Sequence, residues 1–236
     1  MRRVRVLEKL KSLANPRNVE GMARFGINPK NTLGVSIPNL RKLAKEIAIN
    51  HQLAQQLWTS GIHEARILAS MIDDPKLVSE KQLEKWVQDF DSWDVCDQVC
   101  MNLFEKTPFA FQKAKEWTRR DKPARKATYS VAGGEFEKRA GFALMACLAS
   151  HDKEAGDETF IKFFPLIKQG IDDERNFVKK AVNWALRQIG KRNKNLNKMA
   201  IKTAEEILKI DSKTAKWIAY DAIRELTSLA VQKRLA

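Results

Sequence analysis

Apolar residues in this chain recur three and four positions apart, and long alternation of apolar and polar residues is missing, so the elements predicted are helices. The clearest spans 177–192, FVKKAVNWALRQIGKR, where Val178, Ala181, Val182, Ala185 and Ile189 make one apolar face. Ser36 and Pro38 ahead of Leu40, Leu43, Ala44 and Ile47 read as an N-cap, an early proline and an apolar stripe. By the same logic Asp91 precedes a helix over 92–104, and another covers 135–150. Further helices are predicted near 2–14, 63–72, 79–89, 109–119, 154–169, 196–208 and 212–233. Breaks fall at Asn15-Pro16, Asp73-Asp74-Pro75, Thr107-Pro108, Gly133-Gly134 and Asp211. Residues 128–131 are the best candidate for extended chain, and Asp121 to Gly134 is the most irregular stretch. With 10 Gly and 7 Pro in 236 residues, turn signals are too few for a many-stranded sandwich or barrel.

Many short helices with short connections predict stacked helical pairs. Strict repeats are not visible, but HEAT-type repeats are degenerate, with a period of roughly 40 residues, so this length would hold about five or six. The fold class expected is all-α: a curved α-α superhelix, or solenoid, of HEAT-like repeats whose concave face can cradle an elongated partner. A compact helical bundle is the alternative. No linker-like change of composition cuts the chain, so residues 1–236 are expected to form a single domain.

Composition adds a partner. Hydrophobic residues make up 44% of the chain, enough for a sizeable core. The formal net charge is +14, which favours a polyanion, nucleic acid first and an anionic membrane surface second. The bland alternative is that the charge serves solubility. Cys96, Cys100 and Cys147 fit no disulfide framework. The gap between the first two, and the distance in sequence to His51, His63 and His151, do not suit structural zinc. MRRVRVLEKL is basic without an apolar segment behind it, unlike a signal peptide. The apolar run from Ala140 to Ala149 is about half a membrane span. The expectation is therefore a soluble, cytoplasmic protein that makes no use of a membrane.

Three places could carry chemistry. On the 177–192 helix, Lys180, Trp184, Arg187 and Lys191 are spaced by four, three and four residues and share one edge. Cations there could take phosphates while the indole meets a base or sugar; alternatively, Trp184 caps the core and the cations are solvated. In DSWDVCDQVCMNLF, residues 91–104, Trp93 and Asp97 are one turn apart beside an apolar face. Asp91 as a cap and Asp94 in the first turn are explained by the helix start. Asp97 lies beyond that turn, and is either functional or paired with a neighbouring helix. Lys138-Arg139 reads as a phosphate clamp or as an ordinary exposed pair. Arg41, Lys42, Lys45 and Arg2-Arg3 read as solvated faces. No Walker-type loop, HExxH or GxSxG pattern occurs.

SWDVCDQV at 92–99, EKRAGFAL at 137–144 and FVKKAVNWALRQIGKRN at 177–193 resemble the bacterial DNA alkylation repair family. GMARFGI at 21–27 and LGVSIPNLRKLAKEI at 33–47 resemble its N-terminal motifs. Characterised members of the family include HEAT-like-repeat glycosylases that excise 3-methyladenine and 7-methylguanine. The resemblance implies a positively charged concave face for duplex DNA and a Trp–Asp–Trp catalytic constellation. By motif position these are Trp93, Asp97 and Trp184. Arg139 and Arg187 fall on phosphate-binding arginines, and Phe25 falls on an N-terminal aromatic that is often Tyr. Lys180 and Lys191 complete the expected DNA-binding set. The chain departs from the pattern where Ser92 precedes Trp93 in place of a second Trp, where Phe25 lacks a phenol hydroxyl, and where 118–134 looks long.

The chemistry implied is hydrolysis of the N-glycosidic bond of cationic alkylated purines in duplex DNA. Asp97 would stabilise the positive sugar, and the two indoles would face the lesion. The resemblance implies no cofactor and no metal, and a monomer is expected. The alternative is a non-catalytic helical-repeat module that binds DNA structure, as some relatives with this fold do.

Overall fold

A computed structural model of the chain describes residues 2–120 and 134–236. Among the described residues every regular element is helical. The chain divides into two compact units, Met1–Pro108 and Phe109–Ala236.

The first unit holds α1 (Arg3–Ser12), α2 (Pro16–Arg24), α3 (Ile37–Ile47), α4 (His51–Trp58), α5 (His63–Ile72), α6 (Glu80–Gln88) and α7 (Trp93–Asn102), closed by a 3-10 turn at Phe104–Lys106. α5 packs against α3, α4 and α7. Its residues Ala65, Ile67, Leu68, Ala69 and Ile72 are buried, so this helix is the unit's core. Trp58 and Trp86 stack beside it with centroids 3.9 Å apart and planes 3° from parallel. The Trp58 indole N–H donates to Asp89 at 2.8 Å, which satisfies the polar end of a buried ring.

Two helices of this unit are additions to the sequence expectation. α2 is short and buries no residue, although Val19, Met22 and Ala23 share one face. Asn15-Pro16 is a helix start as well as a break: the Asn15 side chain accepts from Asn18 N–H, and Pro16 stands where a missing N–H costs nothing. α4 starts similarly, with the Asn50 side chain accepting from Leu53 N–H. A third difference concerns α7. Ser92 is its N-cap residue, not Asp91.

The second unit holds α8 (Ala110–Trp117), α9 (Glu135–His151), α10 (Asp157–Ile161), α11 (Phe164–Gln169), α12 (Asn176–Gly190), α13 (Lys194–Leu208), α14 (Lys213–Leu226) and α15 (Leu229–Leu235). α9 is its centre, buried at every position from Phe136 to Ala149. α8 and α12 both pack on α9, α14 packs on α12, and α13 packs against both α12 and α14. Helices α9, α12 and α14 thus form a row with α8 and α13 packed against it, and α3, α5 and α7 form a row in the first unit.

The helix expected over 154–169 is two short ones, because Pro165 cannot continue a helix but suits the first turn of α11. The one expected over 212–233 also divides. α14 ends at Leu226, and Ser228 caps α15 by accepting from Val231 N–H. The extended segment expected at 128–131 lies outside the described residues, as does most of the irregular stretch from Asp121. Gly134 leads into α9 with φ 82°, a backbone region that favours glycine. Gly141 lets α9 approach the end of α8: a Cβ there would stand 2.5 Å from Thr118 N.

Candidate functional site

In the first unit the predicted residues converge on the start of α7. Trp93 opens that helix, half-buried, and its indole N–H donates to the Phe25 carbonyl at 3.1 Å. Phe25 is the C-cap residue of α2, and it is 76% exposed. Asp97, also half-buried, follows Trp93 by one turn on the same edge. The apolar side expected for this helix is found as expected, with Val95, Cys96, Val99 and Cys100 buried.

The helix start is held by a cluster that the sequence did not disclose. Asp94 does more than complement a helix dipole. One of its oxygens lies 2.8 Å from His63 Nε2, and the other accepts from the Ser92 hydroxyl at 2.6 Å. His63 is 4% exposed. Burial opposes ionisation of both groups, but their bond and mutual attraction outweigh it. His63 is held above the ordinary histidine value and Asp94 below the ordinary carboxylate value. Ser92 is fully buried in this cluster. Asp91 instead accepts from Asn28 at 3.1 Å and faces Arg66 at 3.5 Å.

Glu64 organises the loop that leads into α3. It is 1% exposed, and its carboxylate accepts from the backbone N–H groups of Leu33, Gly34 and Val35. Three backbone donors on one carboxylate fix a turn that side-chain packing alone would not. A single Glu within HEARILASMI carries no local signal for this.

In the second unit the predicted stripe exists on α12. Lys180 is exposed, and Trp184, Arg187 and Lys191 are partly buried. The Trp184 indole N–H lies 3.1 Å from the Gln188 carboxamide, oriented with its oxygen accepting; Lys191 Nζ reaches the same oxygen at 3.2 Å. The cations are not simply solvated. Arg187 pairs with Glu225 of α14 and lies 3.4 Å from Asp221, and Lys191 meets Glu225 at 2.6 Å. Burial alone would raise the Glu225 carboxyl, but Lys191 and Arg187 hold it below its usual range. Asp221 also accepts from Asn183 at 2.7 Å.

Lys138 and Arg139 are not an exposed pair: they are 8% and 6% exposed. α9 is central, so its polar first turn is covered by neighbouring helices. Lys138 meets Asp173 at 3.1 Å, and Arg139 donates to the Phe177 carbonyl at 2.6 Å, at the start of α12. Arg139 therefore links the middle motif to the helix that carries Trp184. Trp93, Asp97 and Phe25 belong to the first unit, and Arg139, Lys180, Trp184, Arg187 and Lys191 to the second. Among the described residues no three His, Cys, Asp or Glu side chains are grouped to hold a metal ion, and no helix is long and apolar enough to cross a membrane.

Helices packed in rows within each unit define a helical-repeat protein of HEAT-like architecture. The chain superposes with TM-score 0.76, at 21% identity and 95% coverage of both chains, on a member of a family described as related to the HEAT-like repeat DNA glycosylases with affinity for branched DNA structures. An engineered protein aligns with TM-score 0.39 at 15% identity over 94% of this chain and 98% of that one. A designed armadillo repeat protein aligns with TM-score 0.34 at 15% identity over 80% and 92%. No curated protein matches the sequence significantly. A model of the DNA alkylation repair enzyme family matches residues 6–226, and the chain belongs to that family.

Proposed function

We propose that this protein is a monofunctional DNA glycosylase that releases cationic alkylpurines, 3-methyladenine and 7-methylguanine, from duplex DNA. The observation that carries the reading is the start of α7. There a half-buried Asp97 follows Trp93 by one turn, and the Trp93 indole is tied to the exposed Phe25. The two units would act as one repair domain over 1–236, in a cytoplasmic monomer that needs no cofactor.

Alkylation at purine N3 or N7 leaves the base positively charged and a good leaving group. As the bond from C1′ to the purine nitrogen breaks, its electron pair leaves with the base and positive charge moves to the sugar. The Asp97 carboxylate stabilises that charge and orients water. Water adds to C1′ and loses a proton, leaving an abasic site and the free base. Trp93 faces the cation, contributing about 1–2 kcal/mol when desolvated; for Trp184, in the second unit, the same role is what the resemblance to the family implies. Arg187, Lys180 and Lys191 position the backbone phosphates, the enclosed Arg139 supports them by tying down the start of α12, and Phe25 packs against the DNA. Selection then follows the charge and lability of the lesion, with no need for a pocket that reads the flipped base.

The test is base release from methylated duplex DNA by the wild-type protein and by Asp97→Asn. Expected is release of 7-methylguanine by the wild type, none by the variant, and DNA affinities within a few-fold of each other. Equal release by both would remove Asp97 from the mechanism.

A second reading is a non-catalytic module that binds DNA structure. It is favoured by Phe25, which lacks a hydroxyl, by Glu225, which occupies Arg187 and Lys191, and by the branched-DNA affinity stated for the family of the similar solved protein. DNA binding without any base release by the wild type would select it.

A further inference from the structure

Trp217 and Tyr220 are 41% and 63% exposed, and the glycosylase reading uses neither. Both lie on α14. Lys213, Trp217, Tyr220 and Arg224 are spaced by four, three and four residues, which puts them on one stripe, with Lys216 at its edge. All five are exposed. The opposite face, with Ala215, Ile218, Ala219, Ala222 and Leu226 buried, already supplies the helix's share of the core. The aromatic pair therefore stands outside the face that builds the core.

The surroundings of the pair are cationic. Lys179 Nζ stands 5.0 Å from the centre of the Trp217 ring. Lys179 and Lys213 have no carboxylate partner among the described residues. The acids beside the stripe are already engaged, Asp211 by Lys216 at 2.7 Å and Asp221 by Arg224 and Asn183. Lys179 comes from α12, so the stripe draws cations from two helices.

We propose that this α14 face binds unpaired nucleotides, with Trp217 and Tyr220 stacking on bases and Lys179 and Lys213 holding the flanking phosphates. A continuous duplex keeps its base faces stacked and offers the rings nothing. A single-stranded arm beside a junction or gap offers both free base faces and phosphates. An acidic protein or an anionic membrane would match the cations without requiring two exposed rings on one stripe. The inference rests on the DNA-binding part of the reading above and is independent of catalysis.

The test uses the full chain and fluorescence anisotropy with two labelled DNAs, a blunt duplex and the same duplex ending in unpaired oligothymidine arms. Expected is tighter wild-type binding to the armed DNA. Trp217→Ala and Tyr220→Ala should each lose roughly five-fold or more on the armed DNA, while the duplex changes by less than about two-fold. Tyr220→Phe, which keeps the ring, should behave as wild type. Circular dichroism checks that each variant is folded, and the wild-type preference tests the idea without any variant. Equal wild-type affinity for the two DNAs, or variants that weaken both equally, would overturn the inference and leave the glycosylase reading standing. Failure of the wild type to bind either DNA would overturn both.

Discussion

His63 Nε2 lies 2.8 Å from Asp94 Oδ2, and this buried pair ties α5 to the first turn of α7, the helix that carries Trp93 and Asp97. The imidazole is held above its ordinary 6.5 and the carboxyl below its ordinary 3.8, so the pair stabilises the fold in a defined pH window. The histidine contribution is full below about pH 6.5 and fades as pH rises through the raised value; the aspartate contribution is present above about pH 4 and fades as pH falls through the lowered value. The urea midpoint should therefore be higher near about pH 6 than near about pH 8.5, and His63→Gln should flatten that difference. A wild-type midpoint that rises over this interval would contradict the assignment.

Glu225 neutralises two cations proposed to meet DNA. Glu225→Gln should free Arg187 and Lys191, raise duplex affinity several-fold at low salt, and steepen the dependence of binding on salt by about one phosphate's worth or more. Titrations across a salt series measure this. An unchanged slope would place both cations away from the DNA.

Glu64 replaces solvent for three backbone N–H groups at the start of α3. Glu64→Ala leaves those donors unpaired in a buried turn, a cost of about 3 kcal/mol or more in urea unfolding. A loss under about 1 kcal/mol would mean that water reaches the turn and takes over the three donors.

Gly141 stands where α9 crosses the end of α8, with Thr118 N 2.5 Å from the position of a Cβ. Gly141→Ala should destabilise by about 1–3 kcal/mol, even though alanine favours helix, because the crowding atom is backbone and cannot turn aside. Thermal unfolding of the variant checks the sign: a raised midpoint would show that helix propensity wins.

The helical character of the chain was legible because amphipathic periodicity is local. Helices α3, α5, α9 and α12 fall where their spacing predicts. α2 was passed over because its stripe, Val19, Met22 and Ala23, spans little more than one turn behind a proline that reads as a break. The split between α14 and α15 was hidden for the opposite reason, because apolar spacing runs through Thr227-Ser228 while the backbone turns there. At the site, the shared edge of Lys180, Trp184, Arg187 and Lys191 follows from a period of 3.6. Their pairing with Glu225 and Asp221 does not, because those acids come from another helix.

The six tryptophans show where the sequence stops. Each stands in a helical stretch with apolar and charged neighbours, and residue type alone does not separate them. Trp58, Trp86 and Trp117 are core, Trp93 and Trp184 are half-buried, and Trp217 is exposed. By itself the sequence determined that the chain is helical, basic, and patterned with indoles and an acid at intervals that share helix edges. The tertiary structure decided which of those edges are covered, which cations are neutralised, and that Lys138 and Arg139 are enclosed. Periodicity is a property of one helix, whereas burial and charge pairing depend on which helices come to lie against it.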